Sequence, residues 1–375
     1  MSPAAPDATA AGVRVGYKPL VAFVAAVFSD RGVPADRAVS AARALCYGDL
    51  AGMSSHGVVN LTRLYLPLFE AGRVDPRARP CVVTDRGAAV LVDACCALGL
   101  WHASDAMDMA VERAAAHGIG MVSVRRATHC GCAGHHATRA VAHGMIGLVA
   151  SNCGGQRIAR PPGGRLAMLG TNPLSVAAPA GDRHPFVLDM STTVVPTGRI
   201  RQAARAGAPL PEGWLADDEE RAVTDAQAFD RGDAHLLWLG ATPAGGAYKG
   251  FGLGIVVELL AALVSGSAAG PAPQALDGDG RPSGVDDDIG MTAIAIAPGV
   301  LRAPGDVERD AASIFGTLLA CPPTDDDAPV RYPGWHEAER ARVARRDGVL
   351  LPEPIYAELR GVARDIGATM PEVLR

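Results

Sequence analysis

Apolar side chains recur at helical spacing from the start of the chain, which predicts helices over 19–28 and 35–50, the second opened by Pro34 and Asp36. A third helical stretch, 59–69, stops near Gly72. Short apolar runs then predict strands at 81–83 and 88–92. A helix over 104–116 follows, with Ser104 as its cap and Gly118 as its stop. Strand 121–125, helix 133–143 and strand 146–151 continue the alternation, and further strands are expected at 185–189, 236–239 and 292–297. A long apolar helix fills 252–263, and the tail returns to helix at 307–319, 335–346 and 354–364. The pattern is α/β in the middle with helical material at both ends. No internal repeat is visible, and the spacing is too irregular for a TIM barrel.

This pattern divides the chain into a disordered tail at 1–13, a helical domain at 14–80 joined by C-terminal helices in 305–370, and a central α/β domain at 81–304. Residues 269–288, dense in Gly, Pro and Asp, read as a flexible loop inside the central domain. The acidic runs Asp286-Asp287-Asp288 and Asp325-Asp326-Asp327 read as solvated loops, because adjacent flexible carboxylates form no preformed metal cage.

Composition narrows the function classes. A formal charge of −5 supplies no basic face for nucleic acid. The most apolar stretch, 252–263, carries Glu258 and soon meets Ser265 and Gly266, so no membrane span is expected. The tail lacks the basic and apolar regions of a signal peptide. Eight irregularly spaced cysteines make no disulfide scaffold, and a reducing cytoplasm is the expected setting. Of 35 basic residues only Lys18 and Lys249 are lysine, so Lys249 marks a place where a compact ammonium is of use.

The densest polar run is Thr128-His129-Cys130-Gly131-Cys132-Ala133-Gly134-His135-His136, between a predicted strand and a predicted helix. Loops leaving strand carboxyl ends are common ligand sites, and an imidazole exchanges protons near neutral pH. His129 is therefore the candidate general acid/base. A metal site built from His129, Cys130, Cys132 and His135 or His136 is the competing reading, but the usual second ligand pair is missing, so no metal is expected. Ser54-Ser55-His56-Gly57 reads as a turn whose short polar groups can hold a carboxylate. Gly170-Thr171-Asn172-Pro173 and Leu188-Asp189-Met190-Ser191-Thr192 read as hydrogen-bonded loops. The stretch Gly245-Gly246-Ala247-Tyr248-Lys249-Gly250-Phe251-Gly252 permits close approach of a phosphate, although it is neither a Walker A loop nor a Rossmann fingerprint.

Taken together and in order, these motifs resemble the type-2 malate/L-lactate dehydrogenase family, which also includes ureidoglycolate, sulfolactate, diketogulonate and cyclic 2-imino acid oxidoreductases. The resemblance runs from about Ala38 to Leu351 and includes Asp93 to Gly99, Pro333-Gly334 and Asp347-Gly348-Val349. It implies a non-Rossmann, malate/L-lactate (sulfolactate) dehydrogenase-like dinucleotide-binding fold, with the central domain holding NAD or NADP. It also implies a homodimer with active sites near the subunit boundary and a small-molecule substrate. On that resemblance His129 is the catalytic residue, and Ser55, His56, Asn60 and Arg63 line the substrate. Thr171, Asn172, Pro173, Asp189, Ser191, Thr192, Lys249 and Gly250 meet the cofactor.

Several positions depart from the family pattern. Asn60 replaces an Arg that is a natural carboxylate clamp, and Arg63, one turn on, is the expected substitute. Leu64 stands where an aromatic is usual, and Tyr65 is expected to point about 100° away from that direction. Gly198-Arg199 stands for Gly-Lys, and Met291 for a His. The expected function is an NAD(P)-dependent oxidoreductase of a small 2-oxo or 2-hydroxy acid, shifted away from malate and lactate. A cyclic 2-imino acid reductase, a metal-dependent lyase or hydrolase, and a non-redox binding protein are the alternatives.

Overall fold

The computed structural model describes residues 12–374. The chain opens with strand β1 (Gly12–Val15). Positions 12 and 13 of the expected tail are therefore strand, and residues 1–11 lie outside the described residues. Helices α1 (Tyr17–Asp30) and α2 (Ala35–Leu50) match the helical periodicity. A 3-10 turn (Ser54–His56) leads to one turn of π-helix (Leu61–Tyr65), which runs on into α3 (Leu66–Glu70). Next come β2 (Cys81–Asp85), β3 (Ala89–Asp93), α4 (Gly99–His117) and β4 (Ile119–Ala127). They are followed by α5 (Ala133–Val141), β5 (Ile146–Ser151), β6 (Leu174–Ala178) and β7 (Phe186–Met190).

Helix α6 (Thr197–Ala206) precedes a small sheet of β8 (Leu215–Ala216), β9 (Ala222–Val223) and β10 (His235–Leu236), with α7 (Gln227–Arg231) inside it. Helix α8 (Ala247–Glu258) continues into a second π turn (Leu259–Leu263), and β11 (Ile289–Ile296) follows. The chain closes with α9 (Pro298–Leu301), α10 (Asp306–Leu319), α11 (Trp335–Asp347), β12 (Val349–Pro352) and α12 (Glu353–Ile366).

The main sheet has the order β2-β3-β4-β11-β5-β6-β7. Among the described residues its one parallel pair is β3 with β4, joined by α4, and every other pair is antiparallel. A Rossmann sheet is mostly parallel, so the topology agrees with the α/β, non-Rossmann expectation. Strand β1 pairs with β12, tying residues 12–15 to 349–352. The two faces of the sheet are covered by different helices, as strand alternation requires. Val122, Val149 and Met291 join the core that holds Leu45, Trp101 and Met107, whereas Leu148 and Ala150 pack with Val257 and Ala261. Among the described residues, no helix is long and apolar enough to cross a membrane.

Four local expectations are corrected. Helix α4 begins at Gly99, not at Ser104, because its cap is tertiary: Thr128 Oγ1 accepts the Gly99 N–H at 2.9 Å. A Cβ at Gly99 would collide with the Thr128 carbonyl, so this junction needs glycine. Ser104 lies inside the helix, 2.9 Å from His136 Nδ1. Helix α8 begins at Ala247, five residues before the expected start, so Lys249 and Gly250 belong to its first turns. Strand β6 and helix α6 had no clear signal: the run Leu174-Ser175-Val176-Ala177-Ala178 is short and small, and its pairing with β5 and β7 makes it a strand. Finally, the acidic run in 269–288 is tied down. Arg73 pairs with Asp286 at 2.5 Å and also with Asp287, while Asp288 accepts the N–H groups of Arg126 and Ala268.

Candidate active site

Strand β4 ends at Ala127, and two residues later the chain turns His129 toward the helical layer. Nδ1 of His129 lies 2.8 Å from the Tyr65 hydroxyl and 3.1 Å from the Gly131 N–H. A backbone N–H can only donate, so Nδ1 is the unprotonated nitrogen and the neutral ring carries its hydrogen on Nε2. The imidazole of His56 stacks against it, with ring centroids 6.2 Å apart and planes inclined by 23°. Two neighbouring imidazolium ions would repel. Burial, followed by the His129 charge, pushes His56 down to about 4. Burial also lowers His129, and the Asp286 carboxylate opposes that shift. Both rings are therefore neutral near pH 7, and His129 keeps part of its surface open.

Tyr65 was expected to point away, and it does not. The helix from Leu61 to Tyr65 is one turn of π-helix, which takes up one extra residue. An extra residue rotates everything after it by about 100° relative to an α-helix. Tyr65 thus acquires the direction that residue 64 would have had. It is fully buried, edge-on to Phe28 at 6.4 Å, with only its hydroxyl committed to His129.

The turn carrying Ser55 and His56 is held from beneath by Asp49 of α2, which accepts the Val58 N–H at 2.7 Å. Gly57 packs so closely on that carboxylate that a Cβ would overlap it. Burial pushes Asp49 up to about 7. Ser55 Oγ lies 3.1 Å from His56 Nδ1. The Asn60 amide donates to the Ser55 carbonyl at 3.0 Å, so it braces the turn. Arg63 lies apart from this group. It pairs with Glu358 of α12 at 2.9 Å, and Thr62 donates to the same carboxylate.

Past His129 the polar run turns inward. His136 donates from Nε2 to the Cys130 carbonyl at 2.8 Å, and its Nδ1 meets Ser104, so both ring nitrogens are occupied. Cys130 and Cys132 are buried, with both thiols pushed up by burial. Among the described residues, no group of three or more His, Cys, Asp and Glu side chains can hold a metal ion. Asp189 accepts the Gly134 N–H at 2.7 Å, and burial pushes its carboxyl up to about 6. This carboxylate faces a cleft of about 340 Å³ lined also by Tyr47, Arg331, Tyr332, His336 and Arg340.

The remaining predicted cofactor residues gather around α8. Thr192 Oγ1 lies 3.1 Å and 3.2 Å from the carbonyls of Thr171 and Asn172. The Pro173 carbonyl accepts the Ser151 N–H, and Ser191 Oγ donates to the Thr193 carbonyl. Gly250 donates its N–H to Leu239 at 3.2 Å, beside exposed Lys249, which has no acidic partner among the described residues. The structure thus joins Ser55, His56 and His129 in one cluster and Thr171, Asn172, Pro173, Ser191 and Thr192 in another. Sequence reasoning missed Tyr65 and Asp49 as parts of the site.

The model of a protein family described as malate/L-lactate dehydrogenase matches residues 15–360. A malate dehydrogenase of Pyrococcus horikoshii is 35% identical over 68% of this chain and 69% of its own length. A (2R)-3-sulfolactate dehydrogenase (NADP(+)) of Chromohalobacter salexigens is 32% identical over 88% of this chain and 92% of its own. The crystal structure of malate dehydrogenase from Entamoeba histolytica superposes with a TM-score of 0.88 over 96% of this chain and 100% of that one. At 24% identity that likeness speaks for the fold alone.

Proposed function

Because the chain belongs to the malate/L-lactate dehydrogenase family, we propose that it is a nicotinamide-dependent oxidoreductase interconverting a small 2-oxo acid and its 2-hydroxy acid. The observation that carries this reading is the pair of donors at His129 Nδ1, Tyr65 and Gly131. They leave Nε2–H as the group available to a substrate. That hydrogen suits the oxygen of a 2-oxo group, which accepts. A protonated cyclic imine has no lone pair to offer it, so the 2-oxo acid is put ahead of the imine reading.

The residues fit a dinucleotide. Asp189 is a partly buried acceptor on a cleft, suited to hydroxyl or amide donors, and Lys249 is an exposed cation beside glycines, suited to a phosphate. Asn172 Oδ1 is a buried acceptor without a donor. Thr171, Asn172, Pro173, Ser191, Thr192 and Gly250 would complete the contacts with NAD or NADP. When bound, the nicotinamide supplies or accepts hydride at C2 of the substrate. In the reducing direction, His129 Nε2–H binds the C2 oxygen, and the imidazolium form would yield this proton to the negative charge that develops there, leaving a neutral ring, an interaction strongest in the transition state. The Tyr65 hydroxyl can donate or accept, so it holds Nδ1 through the change of protonation. Ser55 and His56 border the same cluster and would contact the substrate.

Two features support a preference shifted from malate and lactate. Asn60 carries no charge, and Arg63 is committed to Glu358. We also propose a homodimer. The face of α8 and its π turn exposes Ile255, Val256, Leu259, Leu263 and Val264, with Leu263 74% exposed, an apolar stripe of the kind that marks a protein interface. A second copy seated there would lie beside Lys249 and the cofactor residues. A cytoplasmic setting, where the eight free thiols stay reduced, completes the reading.

The test is oxidation of NADH and NADPH by the purified protein against a panel of 2-oxo acids and cyclic 2-imino acids. Oxidation with a 2-oxo acid is expected. No turnover with any member, together with no binding of either dinucleotide by calorimetry, would sink the proposal. A preference for cyclic imines would replace the substrate class.

A further inference from the structure

Asn172 has φ +40, in the left-handed region, which asparagine enters more readily than other non-glycine residues and which its hydrogen bonds impose here. The imposing bonds converge on Glu258. Its Oε1 accepts from Asn172 Nδ2 at 3.0 Å, and its Oε2 from Asn152 Nδ2 at 3.2 Å. The Gly270 N–H is a third donor. Asn172 Nδ2 also donates to the carbonyl of Gly254, one turn earlier on α8. Asn152, just past β5, is fully engaged: its Oδ1 accepts from Gly154 and Gly290, and its Nδ2 also donates to Ala268. Thr192 closes the other side through the Thr171 and Asn172 carbonyls.

A buried carboxylate is costly unless its oxygens are bonded, and Glu258 is 6% exposed. Its three hydrogen-bond partners, Asn152, Asn172 and Gly270, are all donors. A carboxylate offers only acceptors, whereas a Gln would turn an NH2 toward one of the Asn amides. The chemistry of the cluster therefore calls for Glu at this position.

We propose that Glu258 is the positioning residue of the dinucleotide site. It locks Asn152 and Asn172 into one arrangement and so sets the 171–173 turn and the 191–192 segment from the same helix that presents Lys249. This rests on the dinucleotide reading above. Glu258 acts through those residues and touches no reacting atom.

The test compares Glu258→Gln with the full-length parent by calorimetry with NADH and NADPH, by steady-state kinetics and by thermal denaturation. For whichever dinucleotide the parent binds, Kd is expected to rise at least about tenfold, the scale of one charge-assisted hydrogen bond. kcat at saturating cofactor should stay within about threefold, because the His129 cluster is untouched. A purely structural role would lower the melting temperature and leave Kd unchanged; that result overturns the proposal and spares the functional reading. A parent that binds neither dinucleotide sinks both. Should the Gln variant not fold, Glu258→Asp keeps the charge but withdraws it by one methylene; an unchanged Kd there overturns the proposal equally.

Discussion

The hydroxyl of Tyr65 reaches Nδ1 of His129 at 2.8 Å because the helix that carries it contains a π turn at Leu61–Tyr65. Tyr65→Phe keeps the ring, and with it the edge-on packing against Phe28, and removes only that bond. The Gly131 N–H still fixes the tautomer, so the imidazole loses orientation but not identity. Turnover is expected to fall about 5- to 20-fold with little change in KM, the scale of one buried hydrogen bond. This is less than the ~10²-fold loss expected of His129→Ala, which removes the proton donor itself. Equal kcat in the parent and Tyr65→Phe, measured at saturating substrate, would show that the phenol plays no part in turnover.

The pH profile carries a second expectation. Burial disfavours the imidazolium form of His129, and Asp286 favours it. In the reducing direction kcat/KM follows the protonated free enzyme, so it should decline as pH rises through a midpoint below the ordinary histidine value. Asp286→Asn removes the favourable charge and leaves Arg73, its 2.5 Å partner, neutralised by Asp287 alone. Both changes disfavour imidazolium. The declining limb should therefore move to lower pH in this variant. A limb that stays put, or moves upward, would remove Asp286 from the electrostatics of the site.

Much of this was legible in the sequence, and what was not has physical reasons. The helices at 17–30 and 35–50 and the strand at 146–151 follow from periodicity, because each buries one regular face. The cap of α4 could not be read locally, since its acceptor is Thr128, 29 residues away. The π turn was not legible because the phase shift it introduces falls in a leucine-rich run, Leu61, Leu64, Leu66 and Leu68, that fits either register. His129 was visible because it leaves a strand end among glycines and cysteines. Asp49 was hidden because an acid near a helix end reads as surface; only the fold shows that its partner is the Val58 N–H.

Asp49 also makes stability depend on pH in an unusual sense. Burial raises its carboxyl from 3.8 to about 7. Between those values the folded protein holds a proton that the unfolded chain has released. Its contribution is thus present in full below about 3.8 and is lost progressively until pH reaches about 7. Asp49→Asn keeps an acceptor for the Val58 N–H and cannot ionise. The variant should melt at a higher temperature than the parent at pH 8, with the gain shrinking as the pH is lowered toward 4. A variant that melts lower at pH 8 would mean that the ionised carboxylate is the better partner for the turn.

The proposed shift in substrate preference places the choice of substrate charge at position 60. Asn60 spends its amide on the Ser55 carbonyl at 3.0 Å, and Arg63 faces Glu358 at 2.9 Å, so neither residue supplies a cation to the His56 and His129 cluster. Asn60→Arg would restore a guanidinium able to bind a carboxylate through two parallel donors. It would also strip the Ser55 carbonyl of its donor, at a cost of about 1 kcal/mol. Any loosening of the turn affects all substrates alike, so the informative quantity is a ratio. Relative to pyruvate, kcat/KM for oxaloacetate should rise about tenfold in Asn60→Arg, the scale of a charge-assisted pair in a partly solvated site. Asn60→Ala loses the same bond without adding charge and should lower both substrates together. If the oxaloacetate-to-pyruvate ratio is the same in the Arg and Ala variants, residue 60 does not face the substrate.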